Sequence, residues 1–180
     1  MRNSANSAKI AVCGILTALS VLALVLAGFL GVMTYAVPML IGGLLIVPVK
    51  EYGTKTAVTM FAAVSLLGMI LIPDKEMALF YLLLFGHYPI IQPWLNGINK
   101  KPPRIILKAL VFNCGALLSV VLAKLIFAVP IFDSDKPVWI LAAGYLAAAN
   151  VCFALYDSAL LGFYTIYDVR IVPLLNKLFR

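Results

Sequence analysis

Seven side chains able to hold a charge or a strong hydrogen bond interrupt otherwise apolar runs of this sequence. They are His87, Gln92 and Asn96, then Asn113 and Lys124, then Asn150 and Asp157. An ionisable or amide group left alone in hydrocarbon is costly, so each is a candidate for ligand binding, proton transfer or helix–helix bonding. The catalytic pairing these residue types allow is His87 with Asp157 as acid and base. A single histidine, no serine or cysteine nucleophile motif and no metal-ligand pair weigh against that enzyme reading. Asn150, Asp157 and Tyr164 are spaced by seven and share one helical face, which should point into a bundle. Asp157 has no basic residue three or four positions away, so it must be neutral, hydrated or paired with another helix. The bland alternatives are ordinary ones. His87 is then an interhelical hydrogen bonder, Asn113 and Asn150 are packing glue, and Asp157 links to the inner loops. Lys124 either snorkels to the outer surface or faces a solute anion.

The elements that position these groups follow from composition. The 180 residues are 64% hydrophobic and 12% charged, with a mean hydropathy of +1.07. A soluble domain is nearer half apolar and a quarter charged, and a chain of this size cannot hide so much apolar surface inside. The reading is a single integral membrane domain covering residues 1–180. The net charge of +7 sits in short clusters between apolar runs, which argues against nucleic acid as a partner. Cys13, Cys114 and Cys152 lie inside apolar runs without metal-ligand spacing and read as packing residues.

Six apolar segments have plausible spanning length, at about 20 residues for a bilayer core. They cover residues 10–30, 34–49, 54–72, 77–95, 105–129 and 138–167, which predicts an all-α bundle of six transmembrane helices. The first is read as a retained span and not a cleaved signal, because no small-residue cleavage site follows it. With the N-terminus inside, the cytoplasmic side receives Arg2, Lys9, Lys50, Lys55, Lys100, Lys101, Arg104, Lys108, Arg170, Lys177 and Arg180. The outer side receives only Lys75 and Lys136, so both termini are expected in the cytoplasm.

The stretch LLLFGHYPIIQPWLNGINKK, residues 82–101, is the least ordinary. Pro89 removes a backbone hydrogen bond and Gly86 permits a bend, predicting an inward kink with His87 and Tyr88 near the freed carbonyls. Gln92, Trp94 and Asn96 are expected at the cytoplasmic interface. In the first span, Ala11, Gly14 and Ala18 put small residues on one face, a strip that lets another helix approach closely.

The order of these features resembles the substrate-binding S components of energy-coupling factor (ECF) transporters. The similarity is closest to a group of small S-component-like membrane proteins of Gram-positive bacteria. It rests on KIAVCGILTALSVL, TYAVPMLIGGLLIVPVKEYGTKTAV, IPDKEMALFYLLLFGHYPIIQPWL, ILKALVFN and NVCFALYDSALLGFY with the basic tail after it. The resemblance implies a subunit of the bacterial plasma membrane that captures a vitamin or similar micronutrient. It would have no cofactor and no ATPase activity of its own. Its implied partners are a transmembrane coupling protein and two cytoplasmic ATPases. The implied docking strip is Ala11, Gly14 and Ala18, with glycine where a strict AxxxA motif has alanine. The implied solute site lies toward the outer side, lined by Tyr35, Tyr81, Lys124, Trp139 and Tyr145. A membrane scaffold that merely binds a partner through the small-residue face is the competing reading.

Overall fold

The computed structural model describes residues 2–31, 33–127 and 138–173, and they are helical almost throughout. The elements are α1 (Arg2–Leu30), α2 (Ala36–Leu44), α3 (Ile46–Tyr52), α4 (Thr54–Leu71), α5 (Lys75–Phe80), α6 (Tyr88–Asn96), α7 (Lys101–Phe127) and α8 (Val138–Ile166). Wider π turns cover Tyr81–Phe85 and Tyr167–Ile171. Five stretches are long and apolar enough to cross a membrane: Lys9–Leu30, Thr54–Leu71, Lys75–Asn96, Lys101–Ile126 and Ala143–Arg170. They follow the expected spans to within a few residues, α7 starting earlier than expected and α8 keeping the expected bounds to within one residue.

The expected span 34–49 takes a different form. It is the broken pair α2–α3, nine and seven residues long, each too short to cross a bilayer alone. The break falls at Leu45, one turn before its cause. Pro48 has no N–H to give to the carbonyl of Leu44, and the Leu45 N–H instead bonds back to Gly42. Pro102 and Pro103 stand in the first turn of α7, where missing N–H groups cost nothing.

Lys75–Asn96 is the central element. In its apolar stretch 67% of residues are buried, against 17–28% in the other four. One apolar cluster joins α1, α2, α4 and α5 through Leu24, Leu45, Val64 and Met77. A second joins the centre to α7 and α8 through Phe85, Tyr88, Phe112, Phe153 and Tyr156. Large apolar side chains such as Ile15, Leu26, Ile70, Ile106, Leu125 and Leu155 stand exposed around the outside. A buried polar seam and an apolar exterior are what a hydrocarbon solvent selects.

The turns at the end holding residues 33–35 and 72–74 are built tightly. Gly31 takes φ +62°, and Met33 follows at 57°. Asp74 caps α5 by accepting from the Met77 N–H at 3.1 Å, and its other oxygen accepts from Thr34 at 3.2 Å. Lys75 turns back, and its ammonium donates to the carbonyls of Met69 and Ile72 at 3.0 and 2.9 Å. Those carbonyls end α4 and have lost their helical partners, so the lysine serves as a C-cap.

Candidate functional site

The kink in the central element leaves identifiable groups without partners. Pro89 cannot donate to the Phe85 carbonyl, nor Pro93 to the Pro89 carbonyl. Two tyrosines of α8 supply the missing donors. Tyr156 Oη–H donates to Phe85 O at 2.9 Å, and Tyr164 Oη–H donates to Pro89 O at 2.8 Å. Of His87 and Tyr88, expected near the freed carbonyls, Tyr88 donates instead to Asp157 and His87 sits beside the Leu82 carbonyl. The Gly86 N–H reaches back five residues to Tyr81 O at 2.7 Å, which makes the π turn. Gly42 of α2 packs on the kink so closely that an added Cβ would lie 2.3 Å from Phe85 O.

Between the two tyrosines, Asp157 gathers a cluster from three elements. Lys108 Nζ of α7 donates to its two carboxylate oxygens at 2.7 and 3.0 Å. Tyr88 Oη–H and Gln92 Nε2–H each donate to Oδ1 at 2.6 Å, and Gln92 also reaches the Asp157 carbonyl at 3.1 Å. The requirement that Asp157 be neutral, hydrated or paired across helices is met by Lys108. That lysine had been grouped with the cytoplasmic basic cluster; it is in fact buried, two turns into α7. Gln92 likewise leaves the interface where it was expected and is 0% exposed, while Trp94 is 70% exposed.

The seam continues along α8 in both directions. Asn113 and Asn150 exchange two amide hydrogen bonds of 2.9 Å, each also donating to a carbonyl one turn back. Farther on, Lys50 pairs with Asp168 at 2.8 Å and Tyr167 donates to Glu51 at 2.6 Å. Asn150, Asp157 and Tyr164 thus do form one inward face. His87 lies apart from it. Its ring packs edge-on to Phe61 at 6.3 Å and sits beside the Leu82 carbonyl, so the structure does not join His87 to Asp157 as an acid/base pair. Among the described residues no cluster of His, Cys, Asp and Glu is placed to hold a metal.

A second feature lies under the 33–35 and 72–74 turns. A cavity of about 290 Å³ opens between α5, α7 and α8, lined by Tyr35, Glu76, Phe80, Ser119, Ala123 and Tyr145. Tyr35, Phe80 and Tyr145 also border an adjoining chamber of about 230 Å³, whose wall includes Met39, Phe85, Phe112 and Cys152. Tyr35 and Phe80 pack ring to ring at 4.9 Å, and the Tyr145 hydroxyl lies on the same side of the cavity as Ser119.

Of the five residues expected to line a solute site, Tyr35 and Tyr145 come together here. Tyr81 instead faces the opposite cluster, 6.0 Å from the ring of Phe61, and is buried away from both chambers. Lys124 is exposed on α7 and borders neither chamber. The Trp139 side chain falls outside the described residues, as does Lys136. Glu76 and Ser119 were missed. The first stands at the edge of an apolar run beside Lys75, where a charge is ordinary, and the second is a serine in an apolar helix, where bonding to its own backbone is the usual fate. Ser119 does make such a bond, to Ala116 O at 2.8 Å, beside its contact with Tyr145.

The small-residue strip of α1 is open. Ala11, Gly14 and Ala18 are exposed, and a Cβ added at Gly14 would meet nothing within 4 Å. A shallow groove runs beside it between α1 and α4, bordered by Lys9, Thr17, Lys55 and Thr59.

Fold and seam together define a multi-pass helical membrane protein. Comparison with protein-family models, with curated proteins and with solved structures returned no match.

Proposed function

We propose that this chain is the substrate-capture subunit of an ECF-type ATP-driven importer in a bacterial plasma membrane, taking up a vitamin or similar micronutrient. In this reading α2–α3 completes a set of six spans and both termini are cytoplasmic. The observation that carries the proposal is the half-enclosed pair of chambers at the end poor in lysine and arginine. Tyr35 and Tyr145 stand at their boundary, where aromatic faces and a few hydrogen bonders suit a small ring-bearing solute. The exposed Ala11, Gly14 and Ala18 face supplies a docking surface for the coupling protein, and the basic loops at the other end face the ATPases.

The test is co-purification. A tagged chain expressed in a Gram-positive host is extracted in mild detergent, and its partners are identified by mass spectrometry. Two ATPases and a larger membrane protein are expected, and they should be lost when Gly14 and Ala18 are both changed to Leu. Recovery of the chain alone, under conditions that hold a known ECF complex together, overturns the proposal. The same open face also suits a partner-binding scaffold. That reading requires co-purifying protein but no solute that raises thermal stability.

A further inference from the structure

The two chambers differ in chemistry. The one beneath the turns carries the polar groups: the Glu76 carboxylate and the hydroxyls of Tyr35, Ser119 and Tyr145. The inner one is walled by Met39, Phe80, Leu84, Phe85, Phe112 and the alanines of α8. The partition between them is aromatic, built from Tyr35, Phe80 and Tyr145.

Among the described residues, the charge that lines the mouth has one sign. Among the described residues no lysine, arginine or histidine lines either chamber, and Glu76 has no ion-pair partner. The nearest cation in sequence, Lys75, is spent on the carbonyls of Met69 and Ile72. The second carboxylate of the turn, Asp74, is held by the Met77 N–H and by Thr34, and its field adds to that of Glu76. A cleft with fixed charge of one sign and low-dielectric walls concentrates ligands of the other sign.

Resting on the reading of this cavity as the solute site, we propose that the solute is a small organic cation with a flat apolar body. Its ammonium group faces Glu76, and its ring lies behind Tyr35, Phe80 and Tyr145. The ring stacks on aromatic side chains and the head keeps a carboxylate partner, so neither end is desolvated without compensation.

The experiment uses the full-length protein in detergent and three aromatic probes of matched size. They are 2-phenylethylamine as the cation, 2-phenylethanol as the neutral form and 3-phenylpropanoate as the anion. Affinity is read from the concentration dependence of thermal unfolding. Occupancy of the inner chamber is read from protection of Cys152 against alkylation, with Cys13 and Cys114 changed to Ala. The cation should bind about tenfold more tightly than the neutral probe, and the anion least, as expected for a charge-assisted contact at a partly solvated carboxylate. Glu76→Gln should bring the cation to within about twofold of the neutral probe. Ala149→Leu, which adds bulk to the inner wall and leaves charge alone, should weaken cation and neutral probe alike. Equal binding by all three probes, or best binding by the anion, overturns the cation assignment and leaves the cavity as the solute site. No protection of Cys152 by any probe removes the cavity itself, and this inference with it.

Discussion

The Lys108–Asp157 pair makes the sharpest energetic prediction. Its side chains are 9% and 18% exposed, and Asp157 also receives Tyr88 and Gln92. Asp157→Leu strands the Lys108 ammonium, a phenol and an amide N–H at once. Lys108→Met leaves the carboxylate with two neutral donors and no counter-charge. Breaking a buried pair by removing one partner costs about 3–5 kcal/mol, and the residual solvent at Asp157 places each single change near the lower end, about 3 kcal/mol. In the double variant Lys108→Met/Asp157→Leu no charge is left without a partner, and the loss should be about 1–2 kcal/mol. Independent contributions would sum to roughly 6 kcal/mol, so the expected coupling is about 4 kcal/mol. The assay is reversible unfolding in mixed micelles titrated with SDS, followed by circular dichroism for all four members of the cycle. Single-site losses that add to within about 0.5 kcal/mol would refute the buried ion pair as a coupled unit.

Three further outcomes follow from the packing. Tyr164→Phe should cost about 1 kcal/mol by leaving the Pro89 carbonyl bare, and less in a Pro93→Ala background, where residue 93 can donate to it; the same cycle reads both. Gly42→Ala drives a methyl group into Phe85 O and Tyr156 Oη and should lower the unfolding temperature clearly, whereas Gly14→Ala should leave it unchanged or raise it. Asn113→Ala and Asn150→Ala should couple by about 0.6–1.7 kcal/mol, the range for interhelical bonds in membranes, and additive losses would sink the reciprocal amide pair.

How far the sequence could be read depended on whether a signal was local. Apolar run length located the five spanning helices, because hydropathy is a property of each segment alone. The seven-residue spacing of Asn150, Asp157 and Tyr164 gave the inward face of α8, because helical periodicity is equally local. The partners on that face were not legible. Lys108 stands near Lys100, Lys101 and Arg104 in the chain, and counting basic residues by loop placed it with them. Only the helix start at Lys101 shows that it lies two turns deep. Tyr156, and the carbonyl that Tyr164 serves, were hidden for a related reason. A tyrosine at helical spacing reads as apolar bulk until the carbonyls freed by Pro89 and Pro93 are brought opposite it. In the cavity, the aromatic residues Tyr35 and Tyr145 were visible as candidates, whereas Glu76, at the edge of an apolar run, carried no sign of facing a cavity.

The proline-freed carbonyls also set an order of events during synthesis. Lys75–Asn96 has the lowest mean hydropathy of the five spanning stretches, 1.2, although it is the most buried. Its kink is completed by hydroxyls lying 71 and 75 residues farther along the chain. At 5–20 residues per second the ribosome needs roughly 4–15 s to deliver them. For that interval the central element carries bare carbonyls and an unmatched Gln92, poor qualifications for lone partition into lipid. The polar bonds of the centre are therefore closed from the last helix backward, and a chain ending before Tyr156 would lack both donors that the Phe85 and Pro89 carbonyls receive.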